Sequence, residues 1–153
     1  MVLSSSNSET TGFLVSEVAR LFRQHFERAL LAEGRGLTSG ESRTLFYVSL
    51  LGGVRQAVLA EKMLVEPMTL SGFLDRLEQR DLITRMTDPD DRRAKIVTTT
   101  EKADSLLEQI RETAGTVRQQ ATNGLSEDEI GLLHRVLNVM RSNLGNEGRD
   151  IVL

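Results

Sequence analysis

Apolar side chains recur at steps of three and four residues over much of this chain, a spacing that places them on one face of an α-helix. The first such stretch predicts a helix from Phe13 to about Glu33, ended by a Gly-Arg-Gly turn. A second helix begins after Thr38 and Glu41, which have the spacing of a capping box, and ends before a Gly-Gly pair. The apolar positions of these two helices are Val15, Val18, Phe22, Phe26 and Ala29, then Leu45, Val48 and Leu51.

Two short helices follow, with only a short turn between them. One covers Val54 to Leu64, and the next begins at Pro67, because proline suits the first helical position. Two compact helices joined by a turn of a few residues are the skeleton of a helix-turn-helix. The apolar stripe of the second helix consists of Leu70, Phe73, Leu74 and Leu77.

The pattern changes to short β-type segments after Arg80-Asp81. Residues 82–86 and 94–98 are rich in Ile, Val and Thr and have the length of strands. The segment 87–93 between them is polar and contains Pro89. This predicts a β-hairpin with an exposed, charged tip, directly after the helix pair.

Two longer helices close the chain. One carries an apolar stripe from Ala103 to Ala121, and the last begins after Ser126, which forms a capping box with Glu129. The apolar stripes of the terminal helices suit either a core or an interface with another chain. We favour the interface, because one small lobe cannot cover the apolar faces of three long helices, and the three-four spacing of the last helix suits packing against a second copy. The stripe of the last helix consists of Ile130, Leu133, Leu137, Met140 and Leu144.

The composition narrows the class of protein. In 153 residues the aromatic share is 4% and there is no Cys, so we expect an aliphatic core and exclude disulfides, thiolate metal sites and cysteine redox sensing. The N-terminus is polar and Ser-rich and no apolar run has the length of a membrane span, so we expect a cytoplasmic protein without membrane contact and with a flexible tail over residues 1–11. The net charge of −3 argues against nucleic acid, unless the basic groups are concentrated on one face.

The helix that starts at Pro67 has an outer face suited to DNA. Hydroxyl groups contact bases or phosphates, and arginine contacts guanine edges or phosphate oxygens in the major groove. The alternative is the polar, solvated face of a half-buried helix. The residues of this face are Thr69, Ser71, Gly72, Arg76 and Arg80.

The predicted hairpin tip concentrates positive charge. A guanidinium on such a tip has the reach to enter a narrow minor groove, where the potential of DNA is most negative. A neighbouring aspartate is able to hold that guanidinium in one rotamer. The alternative is a surface turn whose charges neutralise each other. The basic residues are Arg92, Arg93 and Lys95, and the acidic ones are Asp88, Asp90 and Asp91.

The order of helix, turn, helix and charged hairpin leads to a specific resemblance. The run 74–85, Leu-Asp-Arg-Leu-Glu-Gln-Arg-Asp-Leu-Ile-Thr-Arg, and the run 88–95, Asp-Pro-Asp-Asp-Arg-Arg-Ala-Lys, resemble the recognition-helix end and the wing of the MarR/SlyA family. Thr100-Glu101-Lys102-Ala103 is similar to the start of that family's next helix. The resemblance implies a mainly α winged helix-turn-helix with a small β-hairpin wing and dimerisation helices from both termini.

The resemblance also implies a function and its residues. The expected protein is a homodimeric transcriptional regulator, a repressor that binds double-stranded DNA at a palindromic operator, needs no cofactor and is released by a small-molecule effector. Residues 12–36 and 101–153 would form the dimerisation region and residues 37–100 the DNA-binding lobe. Asp91 would orient the wing, and either Arg92 or Arg93, with Arg93 favoured, would enter the minor groove. The expected DNA-binding residues are Thr69, Ser71, Arg76, Arg80, Asp91, Arg92, Arg93 and Lys95.

Three positions depart from the family pattern. Asp81 stands where a glycine usually follows the recognition helix, which predicts a different cap geometry. Thr98-Thr99 replaces a more apolar strand end. Gly72 stands where SlyA-like members often carry a basic residue, and within a helix it costs roughly 1 kcal/mol relative to alanine.

The same residues bear on other classes of protein. A winged helix that binds a protein partner instead of DNA is the main alternative, and the net negative charge and Gly72 support it. An enzyme is disfavoured because no nucleophile-base pair or metal cluster is visible. His25 and His134 fit helix-surface positions better than a metal site. Tyr47, beside Phe46, fits core packing better than the lining of a pocket.

Overall fold

The structure is a computed structural model that describes residues 6–33 and 35–146. It forms two compact units, one up to Val117 and one from Arg118. Among the described helices, none is long and apolar enough to cross a membrane. The elements in chain order are α1 (Ser6–Ala32), α2 (Ser39–Leu51), β1 (Val54–Arg55), α3 (Gln56–Met63), α4 (Pro67–Gln79), β2 (Ile83–Thr87), β3 (Lys95–Thr99), a 3₁₀ turn (Glu101–Ala103), α5 (Asp104–Ala121) and α6 (Glu127–Asn146). The mainly α fold with a small wing is confirmed.

The core of the first unit is aliphatic, as the low aromatic content predicts. It collects side chains from α1 to α5 and from all three strands, and the aromatic Phe26, Phe46 and Tyr47 pack at its margin. Full burial of a leucine-sized side chain contributes about 1.5–3 kcal/mol. The largest fully buried side chains are Leu45, Leu59, Met63, Leu70, Leu74, Leu77, Ile83, Leu107 and Ile110.

The predicted caps of α2 are confirmed. The Thr38 hydroxyl accepts a hydrogen bond from the Glu41 N–H at 3.2 Å, and the Thr38 N–H donates to the Glu41 carboxylate at 3.0 Å. At the other end Gly52 adopts the left-handed conformation, with φ of 61°, and stops the helix. The capping box of Ser126 and Glu129 before α6 also forms.

The sheet has one strand more than the predicted hairpin. Its order is β1-β3-β2, with antiparallel pairing throughout. Val54 and Arg55 were expected to begin the third helix, but they pair with Val97 and Ile96 of β3. The β-branched Val54 is buried there, and the extended backbone of Arg55 leads into α3. The predicted hairpin itself is confirmed, with both strands one residue later than expected.

The first helix begins earlier than expected. α1 starts at Ser6, within the segment 1–11 that the sequence predicts to be a flexible tail, so residues 6–11 are a correction. The reason is that neither proline nor glycine interrupts the chain between Ser6 and Thr11. Residues 1–5 of the predicted tail lie outside the described residues.

Long rows of exposed large apolar side chains lie on α1 and α6. On α1 they begin at Phe13, and only the C-terminal part of the helix, at Leu30, is buried in the core. α6 shows a similar row. The exposed side chains of α1 are Phe13, Leu14, Val15, Val18, Leu21, Phe22 and Leu31, and those of α6 are Leu132, Leu133, Val136, Leu137, Val139 and Leu144.

Two helix glycines give opposite predictions for stability. A Cβ atom at Gly40 would collide with the ring of Phe73, so Gly40→Ala should lower the free energy of unfolding by about 1–3 kcal/mol through overpacking. At Gly72 a Cβ atom would meet, among the described residues, only an Arg76 guanidinium nitrogen at 3.6 Å. Gly72→Ala should therefore raise the free energy of unfolding by up to about 1 kcal/mol. Urea denaturation of both variants measures the difference. Shifts of the same sign would contradict this packing.

Candidate nucleic-acid interface

Helices α3 and α4 form a helix-turn-helix joined by residues 64–66. Pro67 occupies the start of α4, as predicted, and Leu70, Leu74 and Leu77 are fully buried against the core. The opposite face of α4 therefore points away from the core. Of the predicted DNA-binding residues of this helix and its end, Thr69, Arg76 and Arg80 are exposed, while Ser71 is half-buried at the flank, as is Gly72.

A buried carboxylate fixes Arg76. Its Nε donates to Glu41, the capping residue of α2, and its guanidinium lies 5.5 Å from the centre of the Phe73 ring. The Arg76 side chain is still 52% exposed, so the fixed guanidinium faces solvent. Burial raises the pKa of Glu41, but the hydrogen bonds from Arg76 and Thr38 together outweigh it, and the pKa lies below its usual value.

Arg80 is tied to the loop that follows α1. Its Nη1 donates to the Gly36 carbonyl oxygen at 2.5 Å, while the residue stays exposed. The side chain thus braces the end of α4 against that loop.

The end of α4 has the geometry usual for glycine, so the prediction of a different cap geometry is wrong. Asp81 adopts the left-handed conformation, with φ of 58°. The Leu82 N–H donates to the Leu77 carbonyl at 3.0 Å and the Asp81 N–H to the Glu78 carbonyl at 2.9 Å. Aspartate tolerates this region better than most residues, which explains how it replaces glycine. Its carboxylate also accepts from Lys102 Nζ at 3.2 Å.

An ion-pair cluster couples α4 to strand β2. Arg85 donates from Nε to the Glu78 carboxylate at 3.0 Å, and from Nη2 to Asp75 at 2.7 Å. The hydrogen bonds from Arg85 lower the pKa of Glu78, and the same bonds raise the pKa of Arg85. The helix and the wing are therefore held in a fixed relation to each other.

Asp88 organises the base of the wing loop. It is only 3% exposed, and its carboxylate accepts from the Asp90 N–H at 2.8 Å and from Arg55 Nε at 2.5 Å. The Asp90 N–H, followed by Arg55, lowers the pKa of Asp88 in spite of its burial. Backbone hydrogen bonds from Asp88 to Ala94 and from Ala94 to Asp91 close the turn.

At the wing tip the Asp91 carboxylate contacts the backbone of the turn. Asp91 accepts the backbone N–H of Arg93 at 3.0 Å, so it shapes the turn instead of holding a guanidinium. Arg92 and Arg93 are exposed, and within the described residues neither guanidinium has an ion-pair or hydrogen-bond partner. Lys95 donates to the Thr87 hydroxyl at 2.8 Å across the hairpin. The wing therefore presents two free arginines.

Sequence reasoning missed Arg55. It was assigned to a helix, whereas it lies on β1 and its side chain is 47% exposed beside the wing, held by Asp88. The two residues are 33 positions apart, and no local pattern joins them. The one available signal was the aspartate at the start of the wing loop, since a carboxylate that becomes buried needs a partner.

An apolar cavity of about 410 Å³ lies elsewhere in the first unit. Arg43 bridges Glu27 at 2.8 Å and the Met63 carbonyl at 3.0 Å, and its buried Nε has no hydrogen-bond partner among the described residues. Tyr47 was predicted to pack in the core; it packs against the core together with Phe46, and both residues also line this cavity. The lining consists of Ala19, Phe22, Arg23, Phe26, Arg43, Phe46, Tyr47, Ala114 and Val117.

Within residues 6–33 and 35–146 no group of acidic, histidine or cysteine side chains is arranged to hold a metal.

The helix pair, the braced wing and the exposed arginines define a winged helix-turn-helix. The MarR family model matches residues 37–95. The transcriptional regulator PA3341 is 33% identical with a TM-score of 0.70, covering 89% of this chain and 98% of its own. The transcriptional regulator SlyA is 27% identical with a TM-score of 0.67, covering 90% of this chain and 96% of its own. An E. coli MarR mutant solved with operator DNA has 22% identity and a TM-score of 0.63, covering 90% and 99%. The chain belongs to the MarR family of transcriptional regulators.

The Glu41–Arg76 contact predicts a pH dependence of stability. Folding lowers the pKa of Glu41. The ionised carboxylate therefore contributes its full stabilisation at pH values above the pKa of the unfolded chain, and this stabilisation is lost as the pH falls through the pKa of the folded protein. Glu41→Gln should therefore lower the free energy of unfolding by roughly 1 kcal/mol near neutral pH, with a smaller difference near pH 3. Urea titrations across this range measure it. Glu61→Gln, at an exposed position of α3, is the control, and a pH-independent gap for Glu41→Gln would count against the contact.

Proposed function

We propose that this protein is a homodimeric, sequence-specific DNA-binding transcriptional regulator that represses its target and is released by a small-molecule effector. The observation that carries the proposal is the set of exposed arginines on α4, β1 and the wing, placed on one winged helix-turn-helix lobe. The family supports the class of function, and one protein of this fold, the E. coli MarR mutant, has been solved with operator DNA. Because the proposed partner is DNA, we expect the protein in the cytoplasm.

Fixed arginines suit the recognition of DNA. Arg55 and Arg76 are each bound through Nε to a buried carboxylate, and this contact leaves the terminal nitrogens pointing outward for phosphate or base oxygens. A side chain that is already ordered loses less conformational entropy on binding. The net charge of −3 does not rule out DNA, because Arg55 and Arg76 stay about half exposed although each is paired with a buried carboxylate.

The two parts of the lobe would read different grooves. α4 enters the major groove, where Thr69 and Arg76 reach bases and the half-buried Ser71 reaches phosphate. The wing enters the minor groove through Arg92 or Arg93, with Arg93 as the favoured residue. Arg80 and Lys95 would contact the phosphate backbone and Asp91 would keep the tip in shape.

The terminal helices supply the dimer. Residues 12–36 and 101–153 are the proposed dimerisation region, since α1 and α6 each expose a row of large apolar side chains that a monomer would leave in water. Residues 37–100 form the proposed DNA-binding lobe. A two-fold dimer presents two such lobes, and this symmetry matches a palindromic operator.

The apolar cavity is the proposed effector site. Its aromatic walls, Phe22, Phe26, Phe46 and Tyr47, suit a planar ligand, and Arg23 and Arg43 suit a negative charge on it. Arg43 also binds α1 through Glu27 and the end of α3 through Met63. A ligand that competes for Arg43 would therefore act on the helix-turn-helix and change its DNA affinity.

Loss of the wing arginine should weaken binding to a specific site. Arg93→Ala should cost about 1–3 kcal/mol in affinity for a duplex selected from a random library, and reduce the salt dependence by about one phosphate contact. Fluorescence anisotropy at several salt concentrations measures both quantities. Arg118→Ala, which removes an exposed arginine outside residues 37–100, is the control and should change little. Unchanged affinity in Arg93→Ala would remove the wing from the proposed interface.

A charge on the apolar face of α6 should break the dimer. Leu133→Glu places a carboxylate among exposed apolar side chains, which is costly to bury in an interface. We expect sedimentation equilibrium to give a dimer for the wild type and a monomer for Leu133→Glu. Arg135→Glu, nearly opposite on the same helix, is the matched control and should stay dimeric. A wild-type monomer, or a dimeric Leu133→Glu, would contradict the assignment.

A further inference from the structure

The most exposed large apolar side chains of the described residues flank the turn of the helix-turn-helix. Met68, in the first turn of α4, is 84% exposed, and Leu64, directly after α3, is 75% exposed. Neither contributes to the core. An apolar pair that is so exposed on one short segment indicates contact with something other than water.

The backbone conformation of Leu64 is a second, independent indication of a binding role. Its φ of 53° and ψ of 48° lie in the left-handed region, where the residue after a helix is usually glycine. A leucine there is strained, and it gains no burial in return. Strain without a folding benefit is typical of residues that serve binding.

The position of Met68 on α4 indicates that the molecule contacting it is DNA. Leu70, Leu74 and Leu77 point into the core, so Met68 and Gly72, four residues later, lie on the outward strip. Gly72 has no side chain, and in the part of the chain that the structure describes only Arg76 Nη1, at 3.6 Å, lies near the place of a Cβ atom. The first turn of the second helix is the part that meets base edges in a helix-turn-helix. The bare backbone at Gly72 lets that turn approach the groove closely.

The major groove offers an apolar side chain one matching group, the C5 methyl of thymine. We propose that Met68, four residues after Leu64, contacts a thymine methyl, so that each half-site contains a T·A pair opposite the first turn of α4. This inference rests on the proposed function, because it names the bases that the same surface reads. It also gives Gly72 a role, since a bulky residue there would hold the methionine away from the base.

The test uses thymine and deoxyuridine, which differ only by that methyl group. A duplex is selected from a random library with the full-length protein, and each thymine is then replaced by deoxyuridine. For the wild type, replacing thymine by deoxyuridine at one symmetry-related position should weaken binding about fourfold per half-site. This is the effect expected for the loss of one buried methyl group. Met68→Ala should bind the selected duplex more weakly than the wild type. Its affinity should not fall further when deoxyuridine replaces thymine at that position. Met68→Leu should restore the sensitivity, because leucine retains an apolar contact.

Two controls separate the inference from its alternatives. Met86→Ala removes another exposed methionine, on β2, and should keep the wild-type response to deoxyuridine. Leu64→Gly should be no less stable to heat than the wild type, because glycine relieves the backbone strain, yet it should bind the selected duplex more weakly.

Two results would overturn the inference. If a duplex is selected but Met68→Ala responds to deoxyuridine as the wild type does, DNA binding stands and the thymine contact does not. If no sequence is enriched, the proposed function fails first, and the exposed pair is then a surface for a protein partner.

Discussion

The orientation of one helix decides what this molecule presents to a partner. Leu70, Leu74 and Leu77 bury one face of α4 completely, and this burial leaves a single outward face. At about 1.5–3 kcal/mol for each leucine, it is a large share of the stability of a small domain. The ion pairs of Arg85 with Glu78 and Asp75 then hold the wing at a fixed place beside that face. The surface that we propose for DNA is thus a consequence of core packing.

A second feature occurs twice in the first unit. A buried carboxylate binds the Nε of an arginine whose side chain is about half exposed. Glu41 caps α2 and binds Arg76, and Asp88 closes the wing loop and binds Arg55. In each case one buried acidic group serves local backbone structure and side-chain order together. This arrangement explains how an acidic chain keeps two exposed arginines ordered. A count of total charge does not reveal such local order.

Local signals predicted much of the fold, because caps and turns are set by neighbouring residues. The Thr38–Glu41 box, the start of α4 at Pro67 and the hairpin after Asp81 follow from residues a few positions apart. Strand β1 and the Arg55–Asp88 pair depend on contacts between distant segments, which no local pattern encodes. Asp81 was misjudged because residue preference was taken for a requirement, whereas aspartate adopts the left-handed conformation as well. Met68 was overlooked because an apolar residue near a helix start is usually part of a core.

The central claim is that the winged lobe of each protomer reads one half of a palindromic DNA site. Selection of duplexes from a random library by the full-length protein tests it most directly. We expect enrichment of an inverted repeat with half-sites about one helical turn apart, bound with a steep dependence on salt. Recovery of sequences bound no better than scrambled duplex would contradict it, and would leave a winged helix that serves another partner.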